Sequence, residues 1–205
     1  MGGDPMTGLT SDHVAAAKRL FQSVAGAALV AEKVLPEIYT TLRLGRGFLR
    51  RNMSDQVKAQ TAIEVWAYLS ALLVSMAEAW PGRPGPADLE VIIRALEGAL
   101  LEVQRINYRP EYEAYRLRFR EGRSSLGVAD PKIFGPMYGL HEEFHVRLAL
   151  AWSVPSLATV SPYASSWTQR RAAQTRDAFI AAMSEMTKKL EDELRKGLEE
   201  LWPPR

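Results

Sequence analysis

Apolar residues recur every three or four positions over most of this chain, which is the spacing of one helix face. The stretch from Val57 to Trp80 is the most apolar, and it leaves little polar surface around the helix. Its apolar positions are Trp66, Leu69, Leu73, Met76 and Trp80, widened by Val65, Leu72 and Ala77. The uninterrupted run, residues 65–77, is shorter than the about 20 residues that a membrane span needs. We therefore expect a buried central helix over residues 55–80.

Amphipathic segments on either side of this stretch predict its packing partners. A first helix starts at Ser11 or Asp12, is interrupted or kinked at Pro36, and ends in the glycine-containing segment 45–47. A third helix begins at Pro86, because proline is favoured at the first helical position. Its apolar stripe consists of Leu89, Ile92, Ile93, Leu96, Leu100 and Val103.

The last predicted helix is long and rich in charge. Ser166 and Gln169 form a capping box at its start, and it runs to about Leu201. From Lys188 onward charges of both signs alternate, so only a narrow apolar line remains. Such a line is typical of a helix that pairs with one neighbour or with a second copy, and we expect self-association through it. The line consists of Phe179, Met183, Met186, Leu190, Leu194 and Leu201.

The segment 107–123 fits two kinds of secondary structure. Tyr115 to Arg120 alternates between polar and apolar residues, as a strand does, whereas Pro110 can open a helix. Strand partners are scarce elsewhere in the chain, which favours the helix. After a predicted loop at residues 122–131, another helix is expected from about Pro136 to Trp152.

These elements predict an all-α bundle of about five helices in a single domain, residues 9–205. The turn-rich connection at residues 153–165 would be its hinge. We expect residues 1–8 to be disordered, and their start, MGGDP, resembles a cloning remnant. The amino terminus lacks the apolar run of a signal peptide, which favours a cytoplasmic location without membrane association.

Composition excludes several classes of chemistry. The 205 residues include no cysteine, so thiolate metal sites, thiol nucleophiles and disulfides are excluded. The net charge of +2 indicates no strong electrostatic preference for a partner. The phosphate-binding pattern GxxxxGK[ST], the dinucleotide pattern GxGxxG after a strand and the nucleophile elbow GxSxG are all missing.

The pentad HEEFH, residues 141–145, matches the H-E-x-x-H pattern of zinc-dependent hydrolases. On a helix, His141 and His145 lie on one face and can bind the same zinc ion, while Glu142 can activate a bound water. The required third ligand is not evident, although the last helix could supply a glutamate such as Glu185. We therefore expect no cofactor, with zinc as the alternative.

A second group of residues combines arginine with tyrosine. Guanidinium groups bind phosphates through paired hydrogen bonds, and tyrosine rings stack on unpaired bases. Glutamates at 111, 113 and 121 dilute the positive charge. The candidate nucleic-acid-binding residues are Arg43, Arg46, Arg50, Arg51, Arg109, Arg116, Arg118, Arg120, Arg123, Tyr112 and Tyr115.

Three functions follow from these patterns. The first is a non-enzymatic helical interaction or scaffold protein that pairs with itself or with another helical protein. The second is a nucleic-acid-binding subunit of a larger assembly that uses the arginine and tyrosine clusters. The third is a zinc-dependent hydrolase built on the HEEFH pentad, which would make the protein an enzyme.

Overall fold

A computed structural model describes residues 9–44, 53–103, 107–121, 137–154 and 165–204. Of these residues 87% are helical and none lies in a strand, so the predicted all-α class is confirmed. There are six helices in the described ranges, against the five or so expected. They are α1 (Ser11–Leu44), α2 (Asp55–Ala79), α3 (Pro86–Val103), α4 (Arg109–Glu121), α5 (Tyr138–Ala151) and α6 (Ser166–Leu201).

Helix α2 lies at the centre and contacts each of the other five helices. The Ser54 hydroxyl caps its start by accepting a hydrogen bond from the backbone N–H of Val57, at 3.3 Å. At the other end Trp80 turns to extended backbone before Pro81, which cannot continue a helix. Every residue from Ala67 to Ala77 is buried, which confirms the prediction of a central apolar helix.

The two longest helices, α1 and α6, pack against each other in antiparallel directions. Gly197 of α6 lies against Ser23 of α1, while Tyr39 of α1 and Phe179 of α6 both contact the ring of Trp152. The close approach is possible because α1 presents small buried side chains to its neighbours. They are Ala16, Ala17, Ala27, Ala28 and Ala31.

This packing buries the apolar line that we expected to mediate self-association. Five of its six residues are buried inside the single chain and Leu201 is half-buried, while Leu198 continues the line. The five buried residues are Phe179, Met183, Met186, Leu190 and Leu194. The narrow stripe therefore reflects pairing of α6 with α1 within one molecule, and its side chains are not surface residues.

The helix boundaries differ from the sequence expectations at three points. Helix α1 continues through Pro36 without a break, and Thr10 rather than Ser11 accepts a hydrogen bond from the first turn, at His13 N. Ser165, one residue earlier than expected, caps α6 by accepting from Thr168 N at 3.3 Å. Residues 109–121 form a helix, as favoured over a strand.

Two helices are long and apolar enough to span a membrane by length and composition alone, Ser11–Leu42 and Asp55–Ala79. The core helix of a soluble bundle meets the same criteria, and 72% of the apolar window in α2 is buried within the chain. The corresponding value for α1 is 39%. The absence of membrane association therefore stays a prediction.

The contact of Gly197 with Ser23 yields a stability test. A Cβ atom at position 197 would lie 2.0 Å from Oγ and 2.9 Å from Cβ of Ser23, so Gly197→Ala should destabilise the fold by about 1–3 kcal/mol. Gly98→Ala is the matched control, because a Cβ there meets nothing within 4 Å and should stabilise α3 by up to about 1 kcal/mol. Urea unfolding of both variants checks this. A stability of Gly197→Ala equal to or above that of the parent would contradict the packing.

Candidate functional site

Three of the predicted nucleic-acid-binding residues point into the bundle. Tyr112, Tyr115 and Arg116 of α4 are each 5% exposed or less and face α2 and α3. The Tyr112 hydroxyl donates a hydrogen bond to Glu97, and the Tyr115 hydroxyl donates to Glu64 at 2.9 Å. These tyrosine rings cannot stack on a base while the bundle is folded.

Arg116 is held by α2 through two hydrogen bonds. One guanidinium nitrogen donates to the Ser75 hydroxyl at 2.7 Å and the other to the Glu78 carboxylate at 2.5 Å. The same guanidinium lies 5.9 Å from the centre of the Phe119 ring. Arg116 thus joins α4 to α2 and is not available to a phosphate.

The remaining arginine candidates divide into two groups. Arg109 and Arg120 are exposed on the outer face of α4, and Arg118 is half-buried, 3.9 Å from a carboxylate oxygen of Glu143. The other candidates, Arg46, Arg50, Arg51 and Arg123, lie outside the described residues, as does the side chain of Arg43. Nucleic-acid binding through this second group stays a prediction.

A network of buried charges connects α2, α4 and α5. Arg147 of α5 is its cation, with Nε donating to Glu143 at 2.8 Å and Nη1 3.8 Å from Glu64. Its guanidinium also lies 5.0 Å from the centre of the Tyr115 ring. The side chains of Glu64 and Glu143 are only 5% and 4% exposed. Arg147 is therefore the charge that makes two buried carboxylates tolerable.

Burial dominates the electrostatics of Glu64. Loss of water raises the pKa of this carboxyl, although hydrogen bonds from Tyr115 and Gln60 and the charge of Arg147 oppose the rise. Burial also raises the pKa of the Tyr115 hydroxyl, and the adjacent Glu64 carboxylate raises it further. Tyr115 consequently keeps its proton and remains the hydrogen-bond donor of this pair.

The first histidine of the HEEFH pentad bridges α2 and α6. Its Nδ1 lies 2.7 Å from the Tyr68 hydroxyl, and its Nε2 lies 3.0 Å from Oε2 of Glu191. The other oxygen of Glu191 accepts from Arg195 at 2.6 Å. A continuous chain of hydrogen bonds therefore runs from a fully buried phenol to a surface arginine.

The pKa shifts at the two ends of this chain decide which end groups are charged. Burial raises the pKa of Tyr68, so its hydroxyl keeps the proton in the contact with Nδ1 of His141. The hydrogen bond from His141 lowers the pKa of Glu191, so the carboxylate is ionised and accepts from Nε2.

The other side chains of the pentad do not share one contact region. His145 Nε2 lies 3.5 Å from the Thr187 hydroxyl of α6, while Glu143 turns to Arg147 and Phe144 stacks on Tyr68. One carboxylate oxygen of Glu142 is buried and has no hydrogen-bond partner among the described residues. Phe144 and Tyr68 have ring centres 4.1 Å apart.

This geometry bears on the metal hypothesis. Both ring nitrogens of His141 are already within hydrogen-bond distance of protein groups. Glu185, the suggested third ligand, is exposed and pairs with Lys189 at 2.7 Å, and the glutamate that reaches the pentad is Glu191. Across the described part of the chain, no group of three or more histidine and acidic residues is arranged to hold a metal ion.

The arrangement serves to fix helices relative to one another. His141, Arg147 and Arg116 each contact at least one side chain from another helix, and the buried end of the histidine chain terminates at Tyr68 within the packed core. Sequence reasoning missed Tyr68 and Glu191, because a tyrosine in an apolar run and a glutamate in a charged run carry no local signal. Only their long-range contacts reveal them.

The Arg147 network predicts an asymmetric response to two arginine substitutions. Arg147→Met leaves Glu64 buried without its cation and Glu143 with only the more distant Arg118, and it should cost about 3–5 kcal/mol at neutral pH. Arg94→Met is the control, because it breaks an exposed ion pair with Glu90 on α3 and should cost less than about 1 kcal/mol. Chemical unfolding of both variants measures the difference. Equal losses would show that Arg147 is a surface charge in solution.

His145 predicts a pH dependence of stability. Burial lowers its pKa to about 4, below the about 6.5 expected in the unfolded chain. The unfolded state therefore binds more protons, and this contribution, about 3 kcal/mol, is present above pH 6.5 and lost as the pH falls toward 4.

In His145→Gln, the free energy of unfolding should change less between pH 6.5 and 4 than in the parent protein. Urea titrations at several pH values measure this, and the opposing contribution of Glu64 is common to both proteins. Identical pH profiles would mean that His145 is protonated as easily in the folded chain as in the unfolded one.

Comparison with known proteins assigns no family to this chain. No protein-family model matches it. Neither a curated protein nor a solved structure is significantly similar to it. Its function is therefore argued from its own residues.

Proposed function

We propose that this chain is a non-enzymatic helical interaction protein that self-associates through the outward face of α6. The supporting observation is that both histidines of the HEEFH pentad and the buried Arg116 are engaged in contacts between helices. His141 illustrates this, since it binds Tyr68 with one ring nitrogen and Glu191 with the other. A site whose hydrogen-bond donors are already satisfied stabilises the fold. Contacts with other molecules are then made by the outer surface.

The outward face of α6 has one window without charge. Between Asp177 and Glu185 its exposed residues are Ala178, Ile180, Ala181 and Ser184, and Ile180 is 47% exposed. Beyond this window the exposed surface carries paired charges, such as Lys189 with Glu185 and Lys196 with Glu193.

The window suits contact with a second copy of α6. Small side chains at 178, 181 and 184 allow two helices to approach closely, and Ile180 supplies apolar area at the crossing point. In a symmetric dimer the same surface meets itself, so the uncharged window of one copy would lie on that of the other. The flanking charges would then determine the relative direction of the two helices.

The oligomeric mass tests this proposal. Light scattering or sedimentation equilibrium over a range of concentrations should give the mass of a dimer, and Ile180→Glu should shift it to that of a monomer, because a buried unpaired charge opposes association. Leu29→Glu is the matched control, since Leu29 is 58% exposed on α1 and should leave the dimer intact. A monomeric parent protein at all concentrations would exclude self-association.

Nucleic-acid binding is the second candidate function. Burial of Tyr112, Tyr115 and Arg116 removes support for the surface of α4 on which we expected it. A different surface supports it, the first turns of α6, where Trp167 is 59% exposed beside Arg170 and Arg171. A zinc-dependent hydrolase is not proposed, because the ligand set of the pentad is divided among several intramolecular contacts.

A further inference from the structure

Helix α6 begins beyond the end of α1. The contacts of Ser23 with Gly197, and of Tyr39 and Phe179 with Trp152, place the two helices in an antiparallel register. Both helices rise equally per residue, so Leu44, the last residue of α1, lies level with about residue 176 of α6. The first turns of α6, residues 166–175, therefore extend past α1.

This extension exposes an aromatic side chain that the core does not use. Within residues 166–175 the only buried residue is Ala172, and more than half of Trp167 is exposed. The Arg171 guanidinium lies 5.0 Å from the centre of the Trp167 ring, and Arg170 donates to the Ser166 carbonyl at 3.3 Å. The indole thus lies against the half-buried Arg171, and the exposed Arg170 is next to Arg171 on the same turn.

The sequence on either side of Trp167 carries charge of one sign. The chain has no aspartate or glutamate between Glu143 and Asp177, while Arg170, Arg171 and Arg176 lie close to the indole in the sequence. Arg176 pairs with Asp177 at the end of this interval, at 2.9 Å. Arg170 forms no ion pair within the ranges that the structure describes, so its charge is available to an anion.

We propose that Trp167, Arg170 and Arg171 form a binding site for single-stranded nucleic acid, an inference that rests on the second candidate function. An exposed indole stacks on an unpaired base, and adjacent guanidinium groups bind the phosphates on either side of it. The site differs from the α4 surface expected from sequence, where the tyrosines are buried.

Other occupants fit this surface less well. A second copy would bring like charges together, since the segment carries arginines and no carboxylate. A helix that lies on a lipid surface needs a broad apolar face, whereas Trp167 is followed by exposed Thr168, Gln169 and Arg170. Duplex nucleic acid hides its base faces, and an acidic peptide offers no flat ring to the indole.

Fluorescence anisotropy with a labelled oligothymidylate of about 15 nucleotides tests the site. The parent protein should bind at low salt, and Trp167→Ala should weaken binding about fivefold or more without changing its salt dependence. The double variant Arg170→Gln, Arg171→Gln should weaken binding and make the slope of log affinity against log salt less steep by about 1.4.

The control variant is Arg94→Gln, which removes an exposed arginine of α3 and should leave affinity unchanged. An unlabelled single strand should compete much better than a duplex of the same length. Trp167 is exposed, so its replacement should not alter the thermal unfolding midpoint, and lost binding then reports on the contact itself.

The possible negative results distinguish an error in the proposed site from an error in the proposed function. No binding at low salt would overturn both the inference and nucleic-acid binding as a function, while leaving self-association untouched. Binding that survives in both variants would place the contact elsewhere and overturn only the site. Equal competition by duplex would also overturn the site, because it would show that base stacking on Trp167 is not used.

Discussion

Burial of α2 on all sides is the constraint on which the rest of the structure depends. A helix surrounded by five others cannot leave polar groups without partners, because an unsatisfied buried donor or acceptor is costly. Yet α2 carries Glu64, Ser70 and Ser75 in its buried part. The surrounding helices must therefore supply hydrogen-bond partners as well as apolar area.

That requirement explains why α4 and α5 carry tyrosines and arginines on their inner faces. Arg116 reaches Ser75, Tyr115 reaches Glu64, and Arg147 compensates Glu64 and Glu143 together. Removing one partner would leave a buried charge without its counter-charge, so the network specifies one arrangement of the three helices. Tyr115 and Arg116, which the sequence suggested as part of a binding surface, therefore contribute to the interior of the bundle.

The outer surface of α6 takes no part in this network. Its inner line is largely buried within the chain, mainly against α1, and its outer face changes character along the helix, from a basic aromatic start through an uncharged window to paired charges. At about 54 Å it is the longest element, and its first turns extend beyond its partner. The two proposed contacts occupy different parts of this one face, so both can form on the same molecule.

The sequence by itself determined the fold class and the position of the core. Helical periodicity and the proline at 86 identified α2 and its neighbour α3, because these signals are local and each acts within a few residues. It also identified the apolar line of α6, since a stripe is visible without its partner.

Only the tertiary structure decided what each face contacts. The α6 line is buried within the chain, mainly against α1, Tyr112 and Tyr115 turn inward, and His141 meets Tyr68 and Glu191 across 73 and 50 residues of sequence. Apolar periodicity shows that a helix face is buried, but it does not show which element covers that face. The covering element depends on the packing of the whole bundle. A polar residue likewise shows its role only when the groups around it are known.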